Sequence, residues 1–286
     1  MSLIEHTLMG KVDKVEIAIN RIKSFDPITN GFMDTPYYTA YSGGKDSDVI
    51  RILCELAGVK HDLVHNHTTV DAPETVRYVR SFPNMQISYP KTTMWKLIVK
   101  KKMPPTRLVR YCCSEFKEHG GRDRFVMTGV RWAESTKRRS RSSLEIQSNR
   151  KDGSIYLNAD NDESRRQFET CIKQGKRILN PIIDWKDEDV WEFLNHYGCS
   201  SNPLYQCGYK RIGCIGCPMS SKQKQEFERY PKYKQAYIRT FDRMLKVNNH
   251  INYIWKSGED VYEWWVNNKS VKKEIEGQIM LDLFSE

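Results

Sequence analysis

Residues 38–50 read Tyr-Thr-Ala-Tyr-Ser-Gly-Gly-Lys-Asp-Ser-Asp-Val-Ile, a glycine turn set between an apolar run and a helix-like run. Few folds accommodate such a string. Gly43 and Gly44 permit backbone conformations that a side chain would obstruct, so amide hydrogens can converge on an anion. The helix that follows adds its positive N-terminal end, and Lys45 adds a full charge. Ser42 and Ser47 can donate further hydrogen bonds. Asp46 cannot bind phosphate directly, which leaves it to hold Mg²⁺ or to orient the loop. The spacing matches neither the Walker loop nor the G-x-G-x-x-G of dinucleotide folds. A tight turn with an exposed lysine is the plain alternative; the six-residue string between strand and helix argues against it.

The rest of the chain predicts alternation. Residues 37–41 read as a strand, and Val49, Ile50, Leu53, Leu56 and Ala57 share one helical face that Gly58 terminates. Leu63 to Thr68 reads as a strand and Glu74 to Arg80 as a helix. Gln86 to Tyr89 is a short strand before a helix around Met94 to Lys101. Phe125 to Thr128 and Arg177 to Ile183 are further strands, and Asp187 can cap a helix through Val190, Trp191 and Leu194. Strands alternating with helices imply an α/β fold: a Rossmann-like parallel sheet flanked by helices, with right-handed crossovers. Residues 137–170, polar and highly charged, read as a long mobile loop near the sheet's ligand edge. Residues 221–286 lack strand signals and read as a helical C-terminal extension to a domain spanning 1–220. Aromatic side chains there, such as Tyr237, Phe241 and Trp265, read as packing groups rather than a base-stacking platform.

Charge narrows the partners. Lysine and arginine exceed acids by 46 to 36, a net charge of +10, which suits nucleotides or nucleic acid; a solvated basic face is the alternative. No stretch approaches a membrane-spanning length and no signal-peptide pattern opens the chain, so the expectation is a cytoplasmic protein without a membrane partner. Eight cysteines in a reducing compartment favour catalytic or metal-bound thiols over disulfides.

Ser42-Gly43-Gly44-Lys45-Asp46-Ser47 resembles the pyrophosphate loop of the ATP pyrophosphatases, whose ATP-using members cleave between the α and β phosphates. Four further segments resemble the sulfonucleotide (PAPS/APS) reductase branch. They are Asp71-Ala72-Pro73-Glu74-Thr75, Thr128-Gly129-Val130-Arg131 with Glu134-Ser135 and Arg138, Asn180 to Trp185 with Asp189-Val190-Trp191, and Asn202 to Tyr205 with Gly208 to Cys214. The resemblance spans residues 38 to 217 in order and implies an adenine nucleotide alpha hydrolase-like fold. It implies an adenine nucleotide bound by Ser42 to Ser47, Asp71, Thr128, Gly129, Arg131, Ser135 and Arg138, with Lys45, Asp46 and Arg131 catalytic. These roles suit the residues. Arginines on a loop after a strand can meet phosphate oxygens with paired donors, and ligands gather beyond the carboxyl ends of parallel strands.

Cys112-Cys113 and Cys214-x-x-Cys217 are two thiol pairs that together can supply a tetrathiolate site. They resemble the [4Fe–4S] motif of the APS reductases, which assigns Cys112, Cys113, Cys214 and Cys217 as ligands. A local set, Cys199, Cys207, Cys214 and Cys217, resembles that of DNA-phosphorothioation members, so Cys207 is an alternative ligand. Structural zinc is the further alternative. Cys54 reads as a core residue, and Cys171 gives no signal.

Two features depart from the reductases. Their nucleophilic cysteine near the C-terminus has no counterpart after Cys217, and their glycine loop is generally degraded, whereas Lys45 and the full string stand here. The expectation is therefore an iron–sulfur-dependent enzyme that cleaves ATP to AMP and pyrophosphate with Mg²⁺, adenylylating an acceptor for sulfur transfer or thiolation, nucleic acid being one candidate acceptor. A sulfur donor protein or thiol reductant would complete it. An APS/PAPS reductase, the nucleotide half of an ATP sulfurylase and a nucleotide-sensing scaffold are the other readings. Acceptor, sulfur donor and oligomeric state stay open.

Overall fold

A computed structural model of the chain describes residues 1–8, 10–118, 120–148, 155–157, 175–247 and 255–267. These divide into two compact units, residues 1–90 with 114–214, and residues 91–113 with 215–286.

The first unit opens with a hairpin, β1 (Ile4–Thr7) and β2 (Gly10–Asp13), and helix α1 (Lys14–Ser24), none of which the residue pattern predicts. Asp13 starts the helix: its Oδ1 accepts from Val15 N at 3.0 Å, satisfying an amide that has no partner in the first turn. β3 (Tyr37–Ala40) leads into α2 (Lys45–Ala57), which stops at Gly58 in the left-handed region as expected. β4 (His61–Asn66), α3 (Pro73–Arg80), β5 (Met85–Ser88) and β6 (Phe125–Met127) follow. Beyond them lie β7 (Leu144–Ser148), β8 (Ile155–Leu157), β9 (Gly175–Leu179) and α4 (Asp187–His196).

The sheet is mostly parallel, with strand order β5-β4-β3-β6-β9-β7-β8. β5, β4, β3, β6 and β9 run parallel, whereas β7 pairs antiparallel with β9 and β8 with β7. The central strands are apolar on both faces, as a covered parallel sheet requires. Tyr37, Phe125, Met127 and Leu179 are buried with Ile22, Phe25, Leu53, Trp185 and Phe193. Trp185, fully enclosed against Phe193 with ring centroids 5.3 Å apart, contributes about 2–3 kcal/mol by that burial.

Three expectations need correction. Residues 137–170 are not all loop. Leu144 and Ile146 alternate into the core, and the charge at Glu145 that obscures the pattern is itself buried, tied to Arg141 Nε at 2.6 Å and Asn180 Nδ2 at 2.8 Å. Residues 158–170 lie outside the described residues, as does Cys171. The strand expected over 177–183 ends at Leu179, because Pro181 has no ladder donor and Asn180 turns its side chain to Ser142 O and Thr128. Asp187 does not cap α4. Lys186 is the cap residue and its amide donates to Asp189 Oδ2 at 2.7 Å.

The second unit is helical among its described residues: Met94–Lys101, Gln223–Arg229, Pro231–Val247 and Gly258–Asn267. The C-terminal aromatics pack. Trp265 lies with its centroid 4.9 Å from Tyr237 and 5.5 Å from Phe241, and its indole N–H donates to Pro105 O at 2.6 Å. Residues 248–254 and 268–286 lie outside the described residues. No helix among the described residues is long and apolar enough to cross a membrane.

Candidate active site

The glycine turn joins β3 to α2, so its amides face the space beyond the carboxyl ends of the central strands. Gly43 has φ +75°, a conformation open to glycine, and a Cβ there would come within 3.0 Å of Thr75 and Val79 methyl groups. Ser47 closes the turn on itself: Gly44 N donates to its Oγ at 3.1 Å and that hydroxyl donates to Gly44 O at 2.7 Å. Its proton is thus held within the loop rather than offered to an anion. Ser42 stays exposed at the rim.

Residues far along the chain hold the turn. Asn202, buried, donates to Gly43 O at 2.9 Å and to Thr75 Oγ1 at 3.1 Å. Lys45 N donates to Tyr205 Oη at 2.8 Å. Both fall in a segment that the sequence marked only as a motif match. Their polar roles are invisible without knowing what they face.

A charge cluster surrounds the start of α2. Arg131 is 1 % exposed, and its guanidinium spans two carboxylates: Nε to Asp46 Oδ1 at 2.7 Å and a terminal nitrogen to Asp187 Oδ1 at 2.6 Å. Its other terminal nitrogen donates to Trp185 O at 3.3 Å. Lys45, also buried, places Nζ 3.3 Å from Asp187 Oδ1 and 3.6 Å from Asp46 Oδ2. Partial burial works against ionisation of Asp187, but Arg131 and Lys45 hold its carboxyl below the usual range. Asp46 therefore sits where it orients the cations. Asp187, read from sequence as a helix cap, joins the cluster instead.

Thr128 and Gly129 follow β6, and Gly129 presses against the first turn of α2. A Cβ at Gly129 would meet the Asp46 backbone at 2.9 Å, so only glycine allows this approach. Ser135 is exposed and begins the single turn Thr136–Arg138. Arg138 pairs with Glu134. Burial, together with the guanidiniums of Arg211, Arg141 and Arg131, pulls Arg138 down to about 10. Such crowding of like charge marks a place that favours an anion.

Asp71 lies apart from that charge cluster, at the carboxyl end of β4. Its carboxylate accepts Thr68 N and Thr68 Oγ1, both at 2.7 Å, and stands 2.9 Å from His67 Nδ1 and 3.8 Å from His65 Nε2. Burial opposes its ionisation, yet the imidazoles and the Thr68 amide hold it well below the usual carboxylate range. The two histidines escaped the sequence reading, although their spacing of two at the end of β4, followed by Asp71, is a readable signal.

Of the cysteines, Cys54 is buried in the core as expected, its thiol pushed up to about 12 by burial. Cys214 belongs to the first unit and contacts Thr68 Oγ1 at 3.4 Å, whereas Cys112, Cys113 and Cys217 belong to the second. All four are partly buried and none is disulfide-bonded; Cys207 is exposed.

The family model of the phosphoadenosine phosphosulfate reductase domain matches residues 36–220. An uncharacterised protein of Methanocaldococcus jannaschii is 26% identical over 227 residues, 75% of this chain and 48% of that protein. The adenosine 5′-phosphosulfate reductase of Allochromatium vinosum is 42% identical over 43 residues, 15% of this chain and 17% of that protein. The chain thus spans less than half the length of either curated relative. Among solved structures, the U34-tRNA thiolase NcsA of Methanococcus maripaludis with its [4Fe-4S] cluster aligns over 99% of this chain and 89% of its own, at 13% identity and TM-score 0.46.

Proposed function

Because the chain belongs to the phosphoadenosine phosphosulfate reductase domain family, an enzyme family, we propose that it binds an adenine nucleotide at the glycine turn, and specifically that it cleaves ATP between the α and β phosphates. The observation that carries this reading is the pair of buried cations, Lys45 and Arg131, held at the start of α2 by Asp46 and Asp187. A triphosphate would set three linked anionic groups against these cations and the N-terminal end of α2, where an adenosine sulfate would set one phosphate and one sulfate.

In this reading an acceptor oxygen attacks the α-phosphorus and the α–β bridging P–O bond breaks. The bond's electron pair leaves on pyrophosphate, and AMP stays on the acceptor. Lys45 and the N-terminal end of α2 meet the charge that grows on the departing group. Arg131, preorganised by two carboxylates, and Arg138 steady the α-phosphate. Mg²⁺, when bound, would share the phosphate charge, with Asp46 as its carboxylate. Cys112, Cys113, Cys214 and Cys217 would hold a [4Fe–4S] cluster, whose chemistry would be the binding of sulfur for transfer; zinc is the runner-up occupant. The net charge of +10 makes nucleic acid a suitable acceptor class.

Calorimetry with ATP, α,β-methylene ATP, APS and PAPS tests the proposal. Binding of the two triphosphates, weakened at least about tenfold by Lys45→Ala (1.4 kcal/mol), is the expected result. Tight binding of APS or PAPS with none of ATP would favour the second reading, sulfonucleotide reduction, which the family match supports.

A further inference from the structure

We propose that His65, His67 and Asp71 form a binding site for a divalent transition-metal ion, independent of the nucleotide reading. His65 Nε2, His67 Nδ1 and an Asp71 carboxylate oxygen lie within 4.8 Å of one another. Two imidazoles and a carboxylate suit zinc and its first-row neighbours, and three protein ligands leave a position open.

The tautomer of His65 carries the argument. Its Nδ1 lies 2.9 Å from Tyr41 O, and a carbonyl can only accept, so Nδ1 bears the proton. Nε2 then faces Asp71 Oδ2, 3.8 Å away. His65 is 4 % exposed, and Nε2 has no hydrogen-bond partner among the described residues. Between this buried nitrogen and the carboxylate a cation fits, either a second proton or a metal ion. A proton would draw the two atoms to about 2.8 Å, as charge-assisted hydrogen bonds do. Two ligands on one metal at about 2.1 Å stand about 3.4 Å apart at the tetrahedral angle. The observed gap is nearer the second.

The surroundings match what metal-binding histidines use. A backbone carbonyl on the distal nitrogen fixes ring orientation, here supplied by Tyr41, the residue before the glycine turn. Thr68 fixes the Asp71 carboxylate through its amide and hydroxyl. His67, with 21 % of its side chain exposed, stands 2.9 Å from Asp71 Oδ2; it need only exchange its proton for the ion and swing outward slightly.

The test uses the full chain under anaerobic conditions, treated with chelator and titrated with Zn²⁺. Zinc-edge X-ray absorption should show imidazole scattering from one zinc per chain, and ¹⁵N NMR should find His65 protonated only at Nδ1. His67→Ala and Asp71→Asn should each weaken this nitrogen-ligated zinc at least tenfold, with circular dichroism in chelator showing both variants folded. Zinc bound through sulfur alone, affinity unchanged in both variants, or a doubly protonated His65 at saturating zinc would each overturn the site. ATP binding by calorimetry is scored separately, so loss of one leaves the other standing.

Discussion

Arg131 and Asp46 are 85 residues apart in sequence, yet Arg131 Nε lies 2.7 Å from Asp46 Oδ1. This contact ties the loop after β6 to the first turn of α2. With Gly129 packed on the Asp46 backbone, it fixes the two segments as one piece. The same guanidinium reaches Asp187 at the start of α4, so three chain segments share one buried cation.

Removing that cation should cost more than removing either partner. Arg131→Met leaves Lys45 to offset both Asp46 and Asp187 and should lower stability by about 3 kcal/mol. Asp187 is 61 % exposed at its side chain, so Asp187→Asn should cost under about 1 kcal/mol. Urea unfolding of both variants measures the difference; equal losses would contradict the arrangement.

Gly129→Ala should separate the two loops without changing any charge. The new methyl would stand 2.9 Å from the Asp46 carbonyl carbon and oxygen, and backbone cannot yield as a flexible side chain can. Affinity for α,β-methylene ATP should fall by more than about tenfold. Unchanged affinity by calorimetry would mean that the loop after β6 does not meet the nucleotide.

Asp48 gives a pH signature beneath the turn. It is fully buried, and burial pushes its carboxyl from 3.8 up to about 6, although Tyr41 and Tyr78 donate to it. A raised acid binds its proton more tightly folded than unfolded, so stability is greater below pH 4 and declines as pH rises towards 6. The change for this group is about 3 kcal/mol at about 1.36 kcal/mol per pH unit. Asp48→Asn, which cannot ionise, should therefore gain stability relative to the parent across pH 4 to 6. Parallel pH profiles of the two proteins would refute the assignment.

Arg138 should report anion binding directly. Crowding by Arg211, Arg141 and Arg131 is relieved by any polyanion that settles among them. Pyrophosphate should raise the unfolding temperature, less so in Arg138→Ala, and the effect should shrink as salt rises. An equal rise in both proteins would place the anion elsewhere.

The local features were legible. Tyr37 to Ala40 declared a strand, Gly58 declared a helix end, and Ser42 to Ser47 declared a tight glycine turn between strand and helix, because each depends on neighbours in sequence. β7 was hidden because the charge of Glu145 breaks its pattern, and only its burial beside Arg141 and Asn180 resolves the contradiction. Asp187 looked like a cap for the same reason: a local rule was applied to a residue whose partners lie 56 positions away.

Sequence alone thus determined the alternation of strands and helices, the parallel sheet and the turn with its cation, all consequences of short-range backbone preference and periodic burial. Tertiary structure decided which acids neutralise Lys45 and Arg131, which side chains clamp the turn, and that two histidines and Asp71 converge. Those pairings follow from strand order and register, which bring together groups whose separation in the chain carries no trace of their contact.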